Sequence, residues 1–213
     1  MFITSCTPEK YKGIESVIED TGEGYKTITV IYEHYSYSFE YSTFYELRRP
    51  ERRELDWTIP ETYMDLRAPE AKVDLVVPAG SDKVKTRTAT FIPASISVYI
   101  YDPTNDGKSA TYNATHNLNY RLEKEAKFDN FNLIERSPIN LSGIKGEYAE
   151  WEVGWFNLFP KNDGESPMEY RWEVIFDYKN QIWWIEGLSS GSAYRERIDA
   201  DFKHVIETFK ILE

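Results

Sequence analysis

Cysteine occurs once in this sequence and histidine three times, and basic residues are outnumbered by acidic ones, 25 to 36. Each scarcity removes a class of function. A lone cysteine, Cys6, can form neither a disulfide within the chain nor a cysteine-based zinc site. His34, His116 and His204 fall on separate segments, with no H-E-x-x-H and no paired spacing, so they outline no metal centre. No apolar run approaches the roughly 20 residues that a membrane-spanning helix needs. The formal net charge of −11 repels phosphate backbones and anionic headgroups over the whole surface, which sets nucleic acid aside as a partner. In the one basic cluster, Arg48, Arg49, Arg52 and Arg53 are interrupted by Glu51 and followed by Glu54 and Asp56. No aromatic residues alternate with these arginines for base stacking, so the cluster reads as a solvated loop of mixed charge.

What is present points to a folded body. The 213 residues are 41% hydrophobic and 15% aromatic, with 16 Tyr and 6 Trp, a composition suited to wide β-surfaces. The chain is long enough for one sizeable domain. Residues 1–24 read as a polar tether and 25–213 as that domain, because "TPEKYKGIESVIEDTGEGYK" carries Pro8 and three glycines.

The setting of Cys6 is informative. "FITSC" resembles the lipobox of bacterial lipoproteins, in which an apolar residue and two small ones precede a cysteine that is acylated and becomes the mature N-terminus; Ile3, Thr4 and Ser5 hold those places. The resemblance implies lipidation at Cys6 and a membrane partner reached through the lipid. It also requires a signal segment upstream of Met1, since only five residues precede Cys6.

Strand patterns dominate the first half. Ile28, Val30 and Tyr32 share one face of a first run, Tyr37, Phe39 and Tyr41 one face of a second, and Val73, Leu75 and Val77 one face of a third. In "ASISVYIYDP", Ile96, Val98 and Ile100 lie opposite Tyr99 and Tyr101. Between Ser109 and Phe128 the period becomes helical: Ala114, Leu118, Leu122 and Ala126 form a stripe, Arg121, Glu123, Lys124 and Glu125 occupy other faces, and Ser109 or Thr111 supplies the cap. Two further alternating runs follow. One carries Ala149, Trp151, Val153 and Trp155; the other places Met168, Tyr170, Trp172, Val174, Phe176 and Tyr178 opposite Glu169, Arg171, Glu173 and Asp177. Clean alternation predicts one wet face. In the closing segment Tyr194, Ile198, Phe202, Val205, Ile206 and Phe209 make the apolar stripe of a helix capped by Ser192, which must cover the Trp-rich face of the preceding hairpin. The predicted class is α+β, an antiparallel β-sheet flanked by helices.

This order of elements, with "YSFEYSTFYEL", "SPINLSGIKGEYAEWEV" and the ending Thr208, Phe209, Lys210 and Ile211, resembles the PsbP-like fold family over most of residues 28–213. The family includes photosystem extrinsic proteins, a Ran-binding import factor and DcrB-type bacterial lipoproteins. The resemblance implies a PsbP-like α/β/α sandwich; it carries over no manganese-binding, photosystem-docking or Ran-binding residue, because no stretch here matches one. The lipoprotein branch alone accounts for "FITSC".

Motifs that could carry chemistry are weaker. Gly187, Ser189 and Gly191 match G-x-S-x-G, but a nucleophile elbow needs a following acid and histidine that converge on it. Asp199, Asp201 and His204 lie on the helix that begins at the corner, which would separate Ser189 from His204 by roughly 20 Å. A strand-to-helix turn is the better reading, with the helix start at Gly191 and Ser192 as a candidate anion site. In "DPTNDGKSATYN", Asp102, Asp106 and Gly107 imitate a calcium loop, yet Thr104 and Asn113 stand where ligands are required, so no metal and no cofactor is expected. The pairs Glu150 with Glu152 and Glu169 with Glu173 are assigned to the wet sheet face. Trp183 and Trp184, adjacent in a strand, must project to opposite faces; with Tyr99, Tyr101 and Phe156 they outline a candidate ligand or partner surface.

The reading that collects most of these features is a non-enzymatic, membrane-tethered domain of the cell envelope that binds or assembles with an envelope protein. Its rivals are a small-ligand carrier or sensor, a cytoplasmic protein-binding regulator in which Cys6 is unmodified, and a serine hydrolase using Ser189.

Overall fold

Antiparallel pairing accounts for most of the regular structure among the described residues. A computed structural model describes residues 14–32, 35–48, 71–76, 94–101, 113–128, 130–154, 168–190 and 192–212. Within these, the strands are β1 (Ile14–Gly22), β2 (Tyr25–Tyr32), β3 (Tyr35–Ser42), β4 (Glu46–Arg48), β5 (Ala71–Val76), β6 (Ala94–Tyr101), β7 (Asn132–Leu141), β8 (Ile144–Gly154), β9 (Met168–Tyr178), β10 (Gln181–Ser190) and β11 (Lys210–Leu212). Helix α1 spans Ala114–Glu125 and α2 spans Arg195–Thr208, the latter entered through a 3-10 turn at Ser192–Tyr194. The strands form two antiparallel sheets: a small one in the order β1-β2-β3-β11 and a large one in the order β4-β5-β6-β10-β9-β8-β7. The fold is α+β, as the sequence predicts, with two sheets where one was expected.

Tight hairpins set the register. The β9–β10 connection places Lys179 at φ 49° and Asn180 at φ 62°, and the β7–β8 connection places Ser142 at φ 49° and Gly143 at φ 89°. Two successive left-handed residues are the signature of the two-residue hairpin turn whose twist matches that of the flanking strands. Register then puts Trp183 opposite Phe176 and Ile185 opposite Val174, so Trp172, Val174, Phe176, Trp183 and Ile185 share one face of the large sheet. That face meets Ile28, Val30, Tyr37 and Phe39 of the small sheet and Ile198, Phe202, Val205 and Phe209 from α2 and its end, forming the main core. The opposite face carries a second core of Ala149, Trp151, Val153, Ile175, Ile182 and Trp184 beneath Ala114, Leu118 and Leu122 of α1.

Several local expectations are corrected. The polar stretch assigned to the tether is, from Ile14, the edge strand β1, paired along β2 from Ile14↔Tyr32 to Gly22↔Tyr25. Its acidic residues suit an edge, where charge discourages further pairing. Helix α1 is capped by Asn113, whose Oδ1 accepts the His116 N–H at 2.8 Å; Ser109 and Thr111 lie outside the described residues. Ser192 opens the 3-10 turn and does not cap α2, whose N-cap position is Tyr194, without a side-chain cap bond. The chain leaves α2 at Phe209 and becomes β11, which pairs with β3 through Ile211↔Tyr37. Helical periodicity could not reveal this, since a three-residue strand shows no period. The face of β9 and β10 opposite the main core is not wet: α1 covers it and buries Arg171 and Glu173. Trp155, Phe156, Asp102, Asp106 and Gly107 lie outside the described residues.

Gly187 explains how closely α2 approaches the sheet. A Cβ built there would lie 2.9 Å from Phe202 Cδ2 and 3.4 Å from Ile198 Cγ2. The helix therefore rests on bare backbone at this point. We expect Gly187→Ala to force the Phe202 ring aside and to cost about 1–3 kcal/mol as an overpacked core, read as a lower denaturation midpoint with an unchanged slope. A midpoint equal to that of the parent would show that the helix gives way without cost.

Candidate functional site

Sequence reasoning proposes two places for chemistry, the serine corner and the aromatic surface, and the structure treats them differently. Ser189 is not on a turn. It sits within β10, paired with Tyr170 of β9 and Ala94 of β6, and is fully buried on the main-core face. The residues that would complete a triad serve other partners. Asp201 accepts a 2.8 Å hydrogen bond from Tyr45 Oη, Asp199 accepts one of 2.8 Å from Lys203, and His204 Nε2 lies 3.1 Å from Glu40 Oε2 with its ring 4.2 Å from that of Tyr25. These contacts fasten α2 along β3 and close its own turns. Burial, with Asp201 beside it, pushes the Tyr45 phenol far above its ordinary range, so it stays a donor. Among the described residues no hydrolase constellation is assembled. Gly191 lies outside those residues, and Ser192 is exposed at the start of a three-residue turn, too short to present an anion site.

The aromatic surface is likewise covered. Trp183 and Trp184 do project to opposite faces, but Trp183 is 0% and Trp184 4% exposed. Trp183 stacks on Phe176 at 5.8 Å and meets Tyr37 edge-on at 5.3 Å, inside the main core. Trp184 is closed over by α1, with the Arg121 Cζ 3.9 Å from its ring centroid. Tyr99 lies beside it, ring to ring at 5.8 Å, and is partly buried. Tyr101 belongs to β6, while Phe156 is outside the described residues. The two tryptophans are thus core anchors on opposite faces of the sheet, and neither contributes to an exposed patch.

Beneath α1 the structure assembles a constellation that no motif announces. The buried stripe of α1 comprises Ala114, Asn117, Leu118, Arg121, Leu122 and Glu125, so two charged side chains share the face of the leucines. The alternation of β9 and β10 brings Glu169, Arg171, Glu173 and Glu186 to the facing sheet surface. Arg121 Nη2 donates to Glu186 Oε1 at 2.7 Å and lies 3.0 Å from Glu173 Oε1. Arg171 Nη1 is 3.3 Å from Glu186 Oε1 and 3.9 Å from Glu125 Oε1, and its guanidinium also grips Glu169. Tyr99 Oη adds a 3.1 Å bond to Glu186 Oε2. Four carboxylates therefore face two guanidinium groups among the described residues of this cluster.

The electrostatics divide the carboxylates. Burial raises Glu186 and the two arginines lower it; with hydrogen bonds from Arg121 and Tyr99 added, it ends below its ordinary value. Glu173 is fully buried and neither of its oxygens accepts a hydrogen bond. Burial pushes it up to about 8, against the pull of Arg121 and with the charge of Glu186 adding to the rise. Burial likewise raises Glu169 despite Arg171. The amino-terminal half of α1 is tied down as well. Asp177 Oδ1 accepts the Ala114 N–H at 3.0 Å, Thr115 donates to Glu147, and Arg136 bridges Glu147 and Asn119.

Comparison with solved structures finds distant neighbours. The structure is similar to LpqN of Mycobacterium tuberculosis, a protein involved in cell envelope biogenesis, at TM-score 0.49 and 9% identity over 94% of this chain and 92% of that one. It is similar to the cyanobacterial PsbP of Synechocystis at TM-score 0.43 and 14% identity over 99% of both chains. It is also similar to the Ran-binding protein Mog1p of Saccharomyces cerevisiae at TM-score 0.43 and 6% identity, over 93% of this chain and 96% of that one. No protein-family model matches the chain, and no curated protein matches it in sequence.

The signal for the charged cluster was present in spacing. Arg121 follows Leu118 by three and Glu125 follows Leu122 by three, which puts all four on one helical face. Charge argued them outward, because Arg and Glu are almost never buried unless paired. Here they are paired. Removing one partner strands the others, so Arg121→Ala is expected to cost about 3–5 kcal/mol in urea unfolding. By contrast, Lys203→Ala, which breaks only an exposed pair with Asp199, should cost about 1 kcal/mol or less. Equal losses would mean that the cluster contributes no more than a surface ion pair.

Proposed function

We propose that this chain is a non-enzymatic domain of the cell envelope, of the PsbP-like kind, tethered to a membrane through a lipid on Cys6 and serving to bind or assemble with an envelope protein. The observation that supports the non-enzymatic part is the placement of Ser189: the one residue with a nucleophile motif is fully buried within a strand, and the acids and histidine that should serve it are engaged by Tyr45, Lys203 and Glu40. In the cluster under α1, Glu173 is likewise fully buried.

The tether follows from "FITSC" and from the early start of the fold. Seven residues separate Cys6 from Ile14, the first residue of β1. Fully extended, the span from Cys6 to Ile14 covers at most about 30 Å at about 3.6 Å per residue. Acylation at Cys6 would therefore hold Ile14, at the open end of the β1–β2 hairpin, within that distance of the anchor. The charge of −11 would keep the body off anionic headgroups, presenting its surface to a partner and not to lipid.

Expression of the gene with its own upstream sequence, followed by intact mass and membrane partition of the mature protein, tests this reading. We expect a diacylglyceryl mass increment on an N-terminal Cys6 and a membrane-bound product that Cys6→Ser releases. An unmodified Cys6 in a soluble cytosolic fraction would exclude the tether and favour the cytoplasmic regulator. A fluorophosphonate probe addresses the hydrolase separately: labelling of the folded protein that Ser189→Ala abolishes would refute the non-enzymatic assignment.

A further inference from the structure

The charged cluster under α1 contains one group whose surroundings are incomplete. Glu173 lies on β9 with its side chain fully buried, and both carboxyl oxygens lack a hydrogen-bond donor. The nearest cation, Arg121 Nη2 at 3.0 Å, directs its N–H to Glu186 instead, at 2.7 Å. Glu186 thus receives bonds from Arg121, Arg171 and Tyr99, while Glu173 receives none. A bare buried carboxylate is among the costliest groups to hold inside a protein, whereas the neutral acid is far cheaper and gains a donor of its own.

The groups facing Glu173 can be named element by element. Helix α1 contributes Arg121 and Glu125, β9 contributes Glu169 and Arg171, and β10 contributes Glu186, to which Tyr99 of β6 is bonded. From β8, Ala149 is its register partner and Trp151 flanks the arginines, neither of them titratable. Among the described residues, four carboxylates face two guanidinium groups, and one proton reduces that excess of negative charge.

We propose that Glu173 is a proton-binding switch built into the seat of α1: the helix is clamped to the sheet when this carboxyl is protonated and loosened when it ionises. The direction of the effect follows from linkage. The Glu173 carboxyl is raised from the ordinary glutamate range to about 8, chiefly by burial. In the unfolded chain it reverts to about 4.3. Stability from the neutral acid is therefore complete below the ordinary carboxylate range and is lost as pH rises through about 8. Across that interval the folded chain holds one proton more than the unfolded chain, so the unfolding constant grows about tenfold per pH unit. Glu169 shifts in the same direction; Glu186, held below its ordinary value, acts only on the acid side.

The test is urea unfolding of the full chain at intervals from pH 5 to pH 9, for the parent protein and Glu173→Gln. We expect the parent to lose stability at about tenfold in the unfolding constant per pH unit up to about pH 8, with Glu173→Gln losing about one proton's worth of that slope and outlasting the parent at pH 9. Equal slopes in the two proteins would overturn the proposal. Should the variant not fold, carbon NMR titration of the glutamate carboxyls in the parent decides: a resonance titrating near pH 8 supports it, and midpoints confined to the ordinary range refute it. Amide exchange then locates the effect. Protection corrected for intrinsic rate should fall at pH 9 in residues 114–125 before it falls in α2, and loss in both helices together would refute the local clamp.

Discussion

The constraint on which this structure rests is that the central hairpin, β9 with β10, has neither face in water. Each strand of that hairpin projects alternate side chains to two sides, and each side must be closed by something. On one side the closure is ordinary: Trp172, Val174, Phe176, Trp183 and Ile185 meet α2 and the small sheet, with apolar surface against apolar surface. On the other side α1 must cover a surface that mixes Trp184, Ile175 and Ile182 with Arg171, Glu173 and Glu186. A helix with only leucines on its buried face would leave those charges stranded. Arg121 answers this by lying across Trp184 with its guanidinium between Glu173 and Glu186, so one side chain supplies both apolar cover and countercharge.

Much of this was legible before any coordinates. Alternation gave β2, β3, β5, β6, β8 and β9, the period of α1 and α2 gave two helices, and the two tryptophans at 183 and 184 had to face opposite ways. The misreadings share a cause: polar residues were assigned to water. Glu15, Glu19 and Asp20 disguised β1 as a tether, although Ile14, Val17 and Ile18 lie among them. Glu169, Arg171 and Glu173 made one sheet face look wet, when the spacing of Arg121 and Glu125 on α1 already offered partners for them. Composition records the charge on a residue; it does not record whether an opposite charge waits across the interface. The pairing of β11 with β3 was beyond reach for another reason, since three residues after a helix carry too little pattern to be told from its last turn.

The serine corner shows how a motif can be true to its spelling and false to its chemistry. Gly187 is required by the approach of Phe202, and Ser189 lies inside a ladder two residues further on. The same spacing in a hydrolase would place the serine on a strained turn after a parallel strand. Here the strand runs antiparallel to both neighbours and continues through the serine to Ser190. Gly187 serves helix packing, and Ser189 is an interior residue of the strand.

The return of β11 to β3 has a consequence for biosynthesis. Lys210, Ile211 and Leu212 close the edge of a sheet whose other strands leave the ribosome first, and Phe209 just before them packs against Tyr37 and Phe39. Until that segment has emerged, β3 presents an unpaired edge and the aromatic face behind it lacks its last ring. The nascent chain must therefore wait with its amino-terminal sheet unfinished while nearly all the rest is translated. Such late completion leaves the small sheet open to mispairing for as long as its last strand is missing.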